Sequence, residues 1–529
     1  MDFEPLTVVA VVLYASIVLG IGWMSIRRVK STRDYLIAGD GFGKWVVSFG
    51  VVGAVLSGAS LLGNAGSGYG VGYALYVMTL GLSFLGLTAA YFILAKPMTV
   101  IAKRHEVYTL PDVLSLRYGD SRAVRVLSAL AVVLGCYIYL VVQFVAIAYV
   151  GVTIFGWSPG FSILAGGLFV VLYSIGGGIV ATMWANLFQM IVLGIFAIGI
   201  AVYGVTQVGG FTELHSRLEA IDPELIAPWH ESGAFAWQNV LTYAFFVGLL
   251  AYAGVPHINT KFLTIRNVEV VRWLPFISCF LYLGGVAAVW AGMSYRVLQE
   301  QEGLPVPAEP DAVLPTLVLE SFGPFIVGVL VAAVLAAVMD TAASFMLLSS
   351  AAVIRDIGKE ALGWKLSDRQ EKWAIRAFAV VFMILAGFLA LNPPEFVLAL
   401  MAVAWGALAA MLGPVLYLGM RWKRATSQGA VAALVVGIAI GGVAGVLNQT
   451  LFSEDPLFSP WNVAAVGVAA SYLTLIVVSL LTKPQPSKVF AHFGTGGRPA
   501  AADSEQRVHA AAGQVTPAER HEGESPGVV

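Results

Sequence analysis

The stretch AAVLAAVMDTAASFMLLSSAAVIRD, Ala332 to Asp356, decides the fold class. It is long and apolar enough to cross a bilayer, yet Asp340 stands near its middle, with Thr341, Ser344, Ser349 and Ser350 around it. On a helix Asp340 and Ser344 are i,i+4 neighbours and Thr341 and Ser344 are i,i+3 neighbours, so their oxygens share a face. A charge at bilayer depth costs at least about 2.5–3.5 kcal/mol on insertion scales, so it is kept for a partner or a task. The plainer reading is a structural ion pair with another helix. Read from the sequence, however, no other spanning segment holds a deep Lys or Arg to supply that partner. The expectation is a bound cation or a transferable proton.

The rest of the chain matches this stretch. Of its 529 residues 58% are hydrophobic and 12% charged, and the mean hydropathy is +0.83. A soluble chain carries about a quarter charged residues. Thirteen candidate spans follow, at 6–25, 45–70, 73–95, 122–152, 160–177, 183–206, 237–257, 273–297, 318–355, 372–391, 395–419, 428–448 and 460–482. The fold class expected is an all-α polytopic membrane protein embedded in a lipid bilayer. The first segment, Leu6 to Met24, has no basic stretch before it and Arg27, Arg28 and Lys30 after it, so it reads as a retained span rather than a signal peptide.

Charge fixes the expected orientation. With the N-terminus outside, all of the 30 Lys and Arg except Arg217 and Arg296 fall on the cytoplasmic side. In that reading Lys261 begins a basic cytoplasmic loop, 261–272. The opposite side carries Glu213, Glu219, Asp222, Glu224 and Glu231 in one loop and Glu300, Glu302, Glu309 and Asp311 in another. This asymmetry predicts a plasma (inner) membrane protein with a cytoplasmic C-terminus. After Lys483 the composition turns to Gly, Pro, Ala, Ser, Gln and charge, which predicts a disordered tail over 483–529.

Enzyme chemistry finds no foothold. Cys136 and Cys279 lie within apolar segments, the seven histidines show no metal-ligand spacing, and neither GxSxG nor HExxH occurs. No nucleic-acid partner is expected, and the sequence is silent on oligomeric state.

Two spans read as broken. The second, GVVGAVLSGASLLGNAGSGYGVG (Gly50 to Gly72), is crowded with glycine. The seventh, FFVGLLAYAGVPHINTKFL (Phe245 to Leu263), carries Gly254 and Pro256. Proline removes a backbone donor, and freed carbonyls persist in a membrane only where they line a cavity or bind a ligand. Close helix packing is the rival explanation for the glycines. The two breaks lie five spans apart, at matching positions of two inverted five-span blocks, which points to a midplane substrate and ion site. Asp340 falls in the third span of the second block, where it can face the second span's carbonyls.

These residues resemble the sodium/solute symporters that include the sodium/proline and sodium/pantothenate carriers. The resemblance runs from about residue 5 to 482. AAVMDTAASFMLLSSAAVIRDI (Ala336 to Ile357) is similar to the family's AAIMST…SSA…I.KD helix, and GVPHINTKFLTIRN (Gly254 to Asn267) to its G.PH…RF. break. TLPDVLSLRYGDSRAVR (Thr109 to Arg125), GGGIVATMWANLFQ (Gly176 to Gln189) and NPPEFVLALMAVAWGALAA (Asn392 to Ala410) resemble three further family segments in the same order.

The resemblance implies about 13 helices around a leucine-transporter-type 5+5 inverted-repeat core. The organisation expected is a peripheral span and basic loop over 1–44, repeats over 45–208 and 237–420, an extracytoplasmic loop over 209–236, two further spans over 421–482, and the tail. It also implies a sodium site between the second and ninth spans. By position Gly53, Leu56 and Ala337 offer carbonyls, and Asp340 and Thr341 stand where the family usually has two adjacent hydroxyl residues. Ser344 completes this candidate set. Ser57, Gly58 and Tyr252 match substrate-contacting positions, and Ala59 and Gly248 stand where proline-carrying members have tryptophans. Asn186, a candidate ion-coupling partner, occupies a position where many members have aspartate, as if the carboxylate had moved between helices to Asp340.

The function expected is symport of sodium with a small organic solute such as an amino acid, a monocarboxylate or pantothenate. Two alternatives stay open: a proton-coupled symporter with Asp340 as proton carrier, and a nutrient sensor signalling through its tail.

Overall fold

A computed structural model describes residues 4–39, 41–233, 235–391, 397–445, 447 and 460–486. The tail expected over 483–529 lies outside the described residues from 487 onward, as do Asn392 to Phe396 of the motif before the eleventh span.

The described residues are helical, without a named strand. Among the described residues ten helices are long and apolar enough to cross a membrane, and two bent pairs bring the number to twelve. The shorter apolar helix Pro159–Ser174 lies at the expected fifth position, and the others follow the expected order. The ninth span (Pro324–Ala351, continued as a π-helix over Ala352–Ala361) packs against the fourth (Arg122–Phe155), the sixth (Gly178–Val208) and the first (Pro5–Ile26). Asp340 is buried on this span, which packs against three others.

The second span is two helices, Lys44–Val55 and Gly58–Val71, bent by 53°. The break follows from Ser57. Its Oγ accepts the Ser60 backbone amide at 3.3 Å, while its own amide donates to Ser60 Oγ at 3.2 Å. This reciprocal cap starts a new helix at Gly58 rather than continuing the old one. Packing accounts for the glycines further along. A Cβ on Gly68 would lie 2.3 Å from the Val289 carbonyl oxygen, and one on Gly292 would lie 1.8 Å from that of Ala65. There the second half-helix meets the eighth span backbone to backbone.

The seventh span breaks at Val255, bending by 43° between Trp237–Gly254 and Pro256–Leu263. Pro256 opens the second helix and holds Val255 extended (φ −84°, ψ 102°). The freed carbonyls are not left bare. Asn259 Nδ2 donates to those of Tyr252 and Ala253, at 3.2 and 2.5 Å. Gly254 is glycine because the eleventh span passes against it, with the Leu408 oxygen 2.3 Å from where a Cβ would stand.

At the basic ends of the spans lies a dense ionic cluster. Arg355 donates to Glu371 (2.9 Å) and Asp112 (3.5 Å), and Lys359 donates to Glu371 (2.6 Å). Thr109 donates to Asp356 (2.7 Å), and Arg125 pairs with both Asp112 and Asp356. Nearby, Arg117 donates to the Gly419 and Trp422 carbonyls and to Gln485. Burial lowers the Arg117 pKa from its ordinary value, opposed by the neighbouring Tyr118.

Candidate functional site

The site is built where the two breaks face each other. The first half of the second span ends at Val55, so the carbonyls of Gly53 to Leu56 lose the amides that would continue the helix. Two of these find side chains. The Val55 carbonyl accepts from Ser60 Oγ (3.3 Å), and the Ala54 carbonyl accepts from His257 Nε2 (2.8 Å). One turn earlier, the Gly50 carbonyl accepts from Lys261 Nζ at 2.5 Å. His257 and Lys261 are four apart, as are Ala54 and Gly50. The half-helix Pro256–Leu263 is thus joined antiparallel to Lys44–Val55 by two bonds one turn apart.

Lys261 corrects the sequence reading. Taken as the start of a basic loop, it is instead buried within the broken seventh span, its Nζ 3.6 Å from Asp340 Oδ1. The two side chains are 1% and 2% exposed, so Asp340 does have an intramembrane ion partner. The reading failed because PHINTKFL is too polar to look like part of a span. The signal that identifies it is the basic residue in the resembling G.PH…RF. motif, one turn after the histidine.

The pair is an incomplete one. Neither Asp340 oxygen completes a hydrogen bond of good geometry, and the same holds for Asn186 and for Ser344 Oγ, although Asn186, Lys261 and Ser344 all face the carboxylate. Asp340 Oδ2 lies 2.6 Å from the place of a Cβ on Gly53, so glycine there lets the carboxylate reach the helix end. Thr341 Oγ1 donates to the Ala337 carbonyl at 3.2 Å. Of the residues expected to hold sodium, Gly53 and Asp340 meet across the second and ninth spans and Ser344 faces the carboxylate, while Thr341 and Ala337 are bonded to each other within the ninth. Carboxylate, hydroxyl and open carbonyl oxygens suit a hard cation.

Beside this region an aromatic wall surrounds the Ser57 cap. Tyr139 donates to Ser57 Oγ at 3.4 Å, and its ring lies 4.8 Å from Phe345, 5.8 Å from His257 and 6.5 Å from Trp405. Tyr252 stands edge-on to Trp405 at 5.0 Å. Gly58 is the first residue of the restarted helix. Tyr139, His257, Phe345 and Trp405 escaped the sequence reading because a lone aromatic in an apolar span looks like ordinary core. Gln143, one turn beyond Tyr139, is buried with its amide unpartnered.

A family model described as "Sodium:solute symporter family" matches residues 35–437. The sodium/proline symporter of Salmonella typhimurium is 30% identical over 425 residues, covering 79% of this chain and 83% of that protein. The high-affinity proline transporter PutP of Bacillus subtilis is 28% identical over 482 residues, covering 89% and 98%. A substrate-bound, outward-open Na+-coupled sialic acid symporter superposes with a TM-score of 0.76 at 17% identity, covering 91% of this chain and 99% of that one. This likeness shows the fold, the leucine-transporter-type inverted repeat. The chain belongs to the sodium:solute symporter family: it is a multi-pass transporter, not an enzyme, that couples sodium to uptake of a small organic solute.

Proposed function

We propose that the coupling sodium binds among Gly53, Leu56, Ala337, Asp340, Thr341 and Ser344, and that the solute is a small carboxylate-bearing molecule held against Ser57, Gly58 and Tyr252. The observation that carries the ion reading is Asp340 itself, a buried carboxylate with incomplete hydrogen bonding set against the open end of a broken helix. Sodium there ties the second span to the ninth and favours one arrangement of the halves. An ion shifts such an equilibrium only by binding its two states unequally, which a site shared between two helices permits.

For the solute, the helix restarting at Gly58 turns its amide end toward the break, the natural place for a carboxylate. The rings of Tyr139, Tyr252, Phe345 and Trp405 offer an apolar body a lining. Proline as cargo of the named relatives and sialic acid as cargo of the structural neighbour fit this class, since each bears a carboxylate. The chain is oriented in a plasma membrane with its N-terminus outside and its basic ends, ionic cluster included, in the cytoplasm.

The test is solute-induced current in proteoliposomes, with sodium and pH varied independently, for the wild type and Asp340→Asn. Amino acids, monocarboxylates and pantothenate form the panel. Current that requires sodium at every pH and vanishes in Asp340→Asn supports the site. Current that persists without sodium and follows the proton gradient turns Asp340 into a proton carrier and overturns it.

A further inference from the structure

We propose that Lys261 is a tethered cation that competes with sodium for Asp340 and thereby sets the transporter's sodium affinity. The inference rests on the assignment of Asp340 as a sodium ligand and goes beyond it. Three observations carry it. The Lys261 ammonium is 3.6 Å from Asp340 Oδ1, close enough to neutralise it but without a well-formed hydrogen bond. Its firm bond is to the Gly50 carbonyl, at 2.5 Å. Finally, Asp340 Oδ2 lies 2.6 Å from the place of a Cβ on Gly53, so the carboxylate that Lys261 faces also reaches the open helix end.

The charge balance gives the mechanism. Without sodium, lysine and aspartate form a buried neutral pair that joins the seventh span to the ninth. Adding sodium beside an unmoved ammonium sets two cations against one carboxylate in a low-dielectric core, where like charges a few ångströms apart repel strongly. Sodium must therefore push the ammonium off Asp340. The lysine keeps its Gly50 bond while giving up the carboxylate, since a four-carbon stem allows the head to pivot. Sodium binding is thus weakened by the cost of displacing Lys261 from the carboxylate.

The experiment is a sodium titration of the purified full-length protein, read by thermal shift and by sodium activation of transport, for Lys261→Met, Lys261→Gln and Lys261→Arg. Removing the competing charge in Lys261→Met should lower the half-saturating sodium concentration by about tenfold or more, given the strength of a charge contact at this distance. Lys261→Gln, which is neutral but keeps a donor, should behave alike and serves if Lys261→Met does not fold. Lys261→Arg should stay nearer the wild type. In an Asp340→Asn background, Lys261→Met should no longer strengthen sodium binding. An unchanged or raised half-saturating concentration in both neutral variants makes Lys261 a structural strut and overturns the inference, while Asp340→Asn remains deaf to sodium. Wild-type sodium affinity in Asp340→Asn overturns the underlying site instead.

Discussion

Two groups of buried charges among the described residues are built in opposite ways. The cluster at the basic ends of the spans is multivalent. Arg355 serves Glu371 and Asp112, Glu371 also takes Lys359, and Arg125 bridges Asp112 and Asp356. The midplane pair is sparse, with one ammonium at 3.6 Å from a carboxylate whose oxygens lack well-formed hydrogen bonds. A network in which each charge has several partners resists the loss of any one state and fixes geometry. A lone, loosely engaged pair can exchange a partner at small cost. The first holds spans together; the second is where an ion can enter.

The comparison fails or sharpens on stability. Arg355→Met should cost about 3–5 kcal/mol, because it takes a cation from the buried carboxylates of Glu371 and Asp112 at once. It is measured as thermal unfolding of detergent-solubilised protein. Asp340→Asn should abolish sodium-dependent current and cost about 3 kcal/mol, because it leaves the buried Lys261 ammonium without its carboxylate. Adding Lys261→Met to Asp340→Asn should recover most of that loss, as expected of a lone pair, and no recovery would erase the distinction. Next in size, Gly53→Ala should raise the half-saturating sodium concentration severalfold, because its Cβ would press on Asp340 Oδ2 at 2.6 Å. Wild-type sodium activation in that variant would detach the carboxylate from the helix end.

Asn186→Asp should weaken transport by placing a second carboxylate toward Asp340, and pairing it with Asp340→Ser should recover part of the uptake that Asp340→Ser alone loses. A pair no better than that single variant removes the idea that the charge moved between helices. The smallest effect expected is that of Ser57→Ala, about 1 kcal/mol from the lost cap, seen as a modest drop in melting temperature.

The spans were legible because bilayer crossing demands long apolar runs, and the two breaks because proline and glycine leave plain marks in such runs. Asp340 was legible as a charge out of place. Lys261 was not, although it is the same kind of anomaly. Hydropathy falls across PHINTKFL because the segment answers polar groups of the second span rather than lipid, and that answer lies 211 residues away in the sequence. The aromatic wall was hidden for a similar reason. Tyr139, His257, Phe345 and Trp405 come from four different spans and become a lining only when folded together.

The two bonds from His257 to Ala54 and from Lys261 to Gly50 have a mechanical consequence. Contacts spaced one turn apart on both partners define a register, and sliding one half-helix past the other by any amount short of a full turn, about 5.4 Å, would forfeit both together. The halves Lys44–Val55 and Pro256–Leu263 are therefore a single lever rather than two gates. Whatever bending accompanies transport falls at its ends, at Leu56–Ser57 and Val255, and along its seam with the ninth span. A cross-link between the two half-helices should leave the transport cycle running, whereas one from either of them to the ninth span should arrest it.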